Sequence, residues 1–123
     1  MGMASQINVD IRTKKKKLKQ QFMNVTYGNR QYDKLISNLN DVITDYYSVS
    51  YFYFLRGKVW LERLSNYLKQ AKGKSERIVQ HETKHFCEKA LRDFNVTVRM
   101  MAHERETYLR MQLGKNQTNP KNM

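Results

Sequence analysis

The sequence predicts an all-α fold built on a long antiparallel helical hairpin, and three observations carry that prediction. One Pro (Pro120) and five Gly punctuate 123 residues, and so few turn formers imply few, long elements. An uncharged seam recurs at alternating four- and three-residue steps from Tyr32 to Ala71, the helical signature of a 3.5-residue period. From Ser75 to Leu113 there is neither Gly nor Pro.

The first element expected is a short basic amphipathic helix over residues 10–27. Ile11, Leu18, Phe22 and Val25 form its apolar stripe, and Lys14, Lys15, Lys16, Lys17 and Lys19 surround it. Gly28-Asn29 then reads as a helix stop followed by an N-cap.

The second element turns on the stretch DYYSVSYFYFLRG, residues 45–57. Tyr, Phe and Val favour strands, but the flanking register does not. Tyr32, Ile36, Leu39, Ile43, Tyr46, Ser50, Tyr53, Gly57, Trp60, Leu64, Tyr67 and Ala71 lie on one seam, and the charged residues fall between them. One continuous helix over residues 30–72 follows, with Gly57 as its expected kink. The uncharged run is too short to span a membrane, which takes about 20 apolar residues.

Gly73-Lys74-Ser75 repeats the stop-and-cap pattern. The third element is a helix over residues 75–113, ending near Gly114, with Thr83, Cys87, Ala90, Leu91, Phe94, Val98, Met101 and Tyr108 on its core face. Two helices of similar length joined by a short turn fold back on each other, here over about 60 Å at 1.5 Å per residue. The organisation expected is a basic arm at 1–29, a hairpin at 30–114, and a disordered polar tail at 115–123.

The formal charge is +12, and residues 1–30 hold seven basic groups against one acid. Half of the excess thus sits in the first quarter of the chain, a field that favours polyanions. Arg12, Lys14, Lys15, Lys16, Lys17, Lys19 and Arg30 are the candidate nucleic-acid contacts. They would touch backbone and shape rather than bases, because no zinc-finger spacing, RNA-recognition motif or phosphate-binding glycine loop accompanies them. A basic amphipathic helix also suits an anionic membrane surface. Tyr47, Tyr51, Phe52, Phe54 and Leu55 exceed what one seam buries and are the candidate docking residues for a protein partner or a second copy.

His81-Glu82-Thr83-Lys84-His85 matches the zinc-hydrolase pattern H-E-x-x-H. A catalytic zinc needs a third protein ligand, and His103 lies about 27 Å further along the same helix. The motif therefore reads as a chance match on a solvated face. No catalytic residue, metal ligand, cofactor or small-molecule substrate is expected. Cys87 is the single cysteine, which excludes an internal disulfide, and with no secretion signal evident an intracellular setting, cytoplasmic or nuclear, is expected. The function expected is that of a non-enzymatic helical binding subunit that contacts nucleic acid and docks into an oligomer or larger assembly. The alternatives are a helical scaffold or adaptor for an acidic protein partner and, behind it, a small zinc hydrolase.

Overall fold

The computed structural model describes residues 3–118. It is all-α: α1 spans Met3–Asn24, α2 Tyr32–Asp45, α3 Ser50–Gln70 and α4 Glu76–Thr118. There is no strand among the described residues.

Helix α1 ends in one wide helical turn, Val25–Asn29. Gly28 takes a φ of 123° and Arg30 a φ of 57°. The positive φ at Gly28 is the stop that the sequence suggested, since a side chain there would be strained. Helix α2 begins at Tyr32 rather than at the expected N-cap Asn29. At the next turn Gly73 has a φ of 87°, and Ser75 caps α4 by accepting a hydrogen bond from the backbone N–H of Ile78 at 3.3 Å.

The expected single helix over residues 30–72 is broken. Residues 46–49 form a tight turn in which the Val49 N–H donates to the Tyr46 carbonyl at 3.1 Å, and the Tyr53 hydroxyl donates to the Tyr47 carbonyl at 3.0 Å. The break lies two to three turns before the expected kink at Gly57. The physical reason is burial. A straight helix would leave the side chains around Phe52 on a face with no partner. Folding back lets α2 cover Phe52, Leu55 and Val59, which join Leu18, Val25, Tyr32, Leu35, Ile36, Leu39 and Val42 in one core. At about 25 cal/mol per Å² of apolar surface, that burial outweighs the continuity of one helix.

Contacts between named residues fix the topology. Arg63 pairs with Asp33 at 2.5 Å and Arg56 donates to Asn40 at 2.9 Å, so α2 and α3 run antiparallel. Asn38 donates to Gln21, which sets α1 against α2. Lys15 lies over Tyr51 and Lys58 over Phe22, so α1 runs parallel to α3. Residues from the expected arm thus belong to the same core as the rest, through Leu18 and Val25.

Helix α3 is apolar on two sides, and α4 packs on the second. Trp60 and Tyr67 stack on Phe86 at 6.2 and 5.8 Å, and Phe54 meets Phe94 at 6.0 Å. Gly57 is buried where the helices meet. A Cβ there would come within 2.6 Å of the Phe94 ring, so the seam glycine allows close approach rather than a kink.

The expected core face of α4 is corrected by a rotation. Its buried residues are Phe86, Ala90, Asp93 and Thr97, while Leu91, Val98, Met101 and Tyr108 are exposed. The cause is an ion pair. Arg56 grips the Asp93 carboxylate with two nitrogens, at 2.9 and 2.6 Å, and only 4% of the Asp93 side chain is exposed. Thr97 donates its hydroxyl to the Asp93 carbonyl at 2.8 Å. Nor does α4 stop at Gly114, since the helix continues to Thr118. Of the expected tail, residues 119–123 lie outside the described residues.

Two outcomes follow. Arg56→Met, which leaves a buried carboxylate without its partner, should cost about 3–5 kcal/mol in urea unfolding, and Arg56→Met combined with Asp93→Leu should recover most of that loss. Burial, and then the neighbouring Glu62, raise the Tyr32 pKa above its ordinary 10.0, partly offset by Arg30. The folded chain therefore favours the neutral phenol. This contribution is intact below pH 10 and is lost as pH rises above it, so the unfolding midpoint should fall above pH 10, and less so in Tyr32→Phe.

Candidate nucleic-acid interface

The apolar stripe of α1 decides where its cations go. Leu18 and Val25 are buried, and Ile11 and Phe22 pack half-buried against the core. The residues between them must point outward. Arg12, Lys16 and Lys19, at i, i+4 and i+7, share the outer face, because residues three and four apart are helical neighbours. Lys14 and Lys17 flank them on the α2 side, where they border a shallow cavity with Asn38 and Asp41. All five are exposed.

Lys15 is drawn out of this group. It is half-buried, with its ammonium 5.5 Å from the Tyr51 ring centroid, and burial raises the Tyr51 pKa. Arg30 is exposed but stands apart, beside a cavity that Glu62, Asn66 and Lys69 also line. The sequence missed Lys58. It rises from α3 to lie 4.9 Å from the Phe22 ring centroid and 5.4 Å from that of Phe54. Nothing in the spacing of residues 30–72 marks Lys58, because its neighbourhood depends on α1 running parallel to α3.

The ion pairs among the described residues join Arg56 to Asp93, Arg63 to Asp33, Lys84 to Glu88 and Arg110 to Glu106. None of them takes in a cation of α1.

The expected docking residues divide. Phe52 and Leu55 are 0% and 2% exposed. Both lie in the core and are unavailable to a partner, because the turn at 46–49 faces them inward. Tyr51 is half-buried beneath Lys15. Tyr47 and Phe54 remain exposed, but they do not form one patch with the others.

His81 and His85 are both exposed, and His85 meets the edge of Trp60 at 6.5 Å. Among the described residues, no group of three His, Cys, Asp or Glu side chains converges so as to hold a metal ion. Cys87 is half-buried and unbonded. No helix among the described residues is long and apolar enough to cross a membrane. Comparison with protein-family models, with curated proteins and with solved structures gives no match.

The division of the aromatic stretch has a measurable consequence. Phe52→Ala should cost about 3–5 kcal/mol of stability by opening a core cavity, whereas Tyr47→Ala should stay within about 0.5 kcal/mol of the parent. Urea unfolding of the two variants checks both.

Proposed function

We propose that this chain is a non-enzymatic helical binding subunit whose α1 face contacts the phosphate backbone of nucleic acid. The observation that carries the reading is the exposed charge of α1, with Arg12, Lys16 and Lys19 on its outer face and Lys14 and Lys17 on the side towards α2. Arg12, Lys14, Lys16, Lys17 and Lys19 are exposed on one helix, and no ion pair among the described residues neutralises them. Cations held at helical spacing on a packed scaffold suit phosphates, which they contact while releasing condensed counterions. Such contacts position a protein on its polyanion without reading sequence.

A specific observation sets the membrane reading below this one. Surface insertion of a basic helix needs its apolar residues in the lipid interface. Here Leu18 and Val25 are 2% and 3% exposed, and Phe22 packs against the core beneath Lys58. From Ile11 to Val25 the apolar stripe of α1 faces the protein, and only Ile7 and Val9, nearer its start, and Met23 stay exposed among its described large apolar residues.

Counterion release gives the test. Binding to a duplex DNA of mixed sequence should weaken steeply with salt, with a slope of about −0.9 per phosphate contact in log K against log salt. Replacing Arg12, Lys16 and Lys19 with Gln should flatten that slope by about 2.7 and leave the helical circular dichroism unchanged. A slope near zero in the parent protein, or tighter binding to anionic vesicles than to duplex DNA or RNA, would overturn the reading.

A further inference from the structure

A cavity of about 210 Å³ lies where α2, α3 and α4 meet. Helix α2 contributes Asn40 to its lining, α3 contributes Arg56 and Trp60, and α4 contributes Lys89, Arg92 and Asp93. It is distinct from the basic face of α1. Ile36 and Asn40 border this cavity, whereas Asn38 and Asp41 border the one shared with Lys14 and Lys17. At 3.6 residues per turn the two pairs lie on opposite sides of α2.

The cavity holds an excess of positive charge. Arg56, Lys89 and Arg92 bring three cations to it, and Asp93 is the one acid among its described lining residues. Both Asp93 oxygens are already held by Arg56, at 2.9 and 2.6 Å. Lys89 and Arg92 remain, three residues apart and so neighbours on α4. Neither enters an ion pair among the described residues. Lys89 is half-buried, and its ammonium lies 5.1 Å from the Trp60 ring centroid, which keeps it at the cavity wall. Arg56 also has donors to offer. A guanidinium carries five N–H groups, and the bonds to Asp93 and Asn40 engage three of them.

We propose that this cavity binds a phosphate dianion, either free or as the head of a small phosphate monoester. Charge is the first argument. A phosphate monoester carries about −1.5 to −2 at pH 7 and presents three strong acceptor oxygens, which answers the two cations that Asp93 leaves unpaired. A carboxylate would answer only one. Preorganisation is the second. The planar fork of arginine suits phosphate oxygens, and Arg56 is fixed by Asp93 and Asn40 before any ligand arrives, so ordering it on binding costs little. Size is the third. Sites for drug-sized ligands measure about 300–1,000 Å³. This smaller cavity suits a phosphate group, with the rest of a monoester left in solvent.

Trp60 is the only tryptophan of the chain and lines the cavity, so its fluorescence reports what enters. With ionic strength held constant by chloride, inorganic phosphate should change the emission of the full chain saturably. Arg92→Gln, at an exposed position, should weaken that binding about tenfold, as the loss of a hydrogen bond to a charged group implies. Lys89→Gln should do the same, both with helical circular dichroism unchanged, and Arg92→Lys, which keeps the charge, should lose less. Glycerol phosphate binding as tightly as inorganic phosphate assigns the site to monoesters, and weaker binding assigns it to the free anion. An emission that does not saturate would overturn the proposal. So would acetate binding as tightly as phosphate, or phosphate binding indifferent to Lys89→Gln combined with Arg92→Gln. Loss of phosphate binding on Arg12→Gln with Lys16→Gln and Lys19→Gln would overturn it too, as would a matching loss of duplex DNA affinity in the Lys89 and Arg92 variants, since the cavity would then be part of the polyanion surface.

Discussion

The grip of Arg56 on Asp93 is the constraint on which the arrangement of the helices depends. A carboxylate with 4% of its side chain exposed is costly to bury unless it is paired and hydrogen-bonded. Both of its oxygens are held by one guanidinium, a fork geometry that Lys could not reproduce. The same guanidinium reaches Asn40 on α2, so a single side chain of α3 fixes the neighbours on both sides. Gly57, one residue on, lets Phe94 seat against the α3 backbone. Together they set the rotation and register of α4. That register decides what α4 buries and, equally, what it leaves exposed.

Helix α3 is central because it is apolar around more than one face. Phe52, Leu55 and Val59 point into the core shared with α1 and α2. Trp60 and Tyr67 point at Phe86 of α4. Cations cover the aromatic rims: Arg63 and Lys89 lie over Trp60, and Lys74 over Tyr67. Such contacts are worth about 0.5–1 kcal/mol at exposed sites. Arg63 comes from α3, Lys89 from α4 and Lys74 from the turn that joins them. Among the described residues, Lys15 is the one cation of α1 over a ring and none of its cations enters an ion pair, so the dense charge of this segment persists as a surface feature after folding.

The all-α class was legible because it rests on composition and on periodicity sustained over many turns. The stop at Gly28 and the Ser75 cap were legible because each is local chemistry. The stripe Ile11, Leu18, Phe22 and Val25 was legible because α1 buries only one face. The break at residues 46–49 was not, since Tyr46, Ser48 and Val49 include neither Gly nor Pro, and the turn exists to satisfy burial elsewhere. The face of α4 was misjudged for a related reason. Pattern reading sets Asp93 outside and Leu91 inside, and only the presence of Arg56 on α3 reverses them. For the same reason Phe52 and Leu55 read as surplus apolar surface, when the fold spends them on its core.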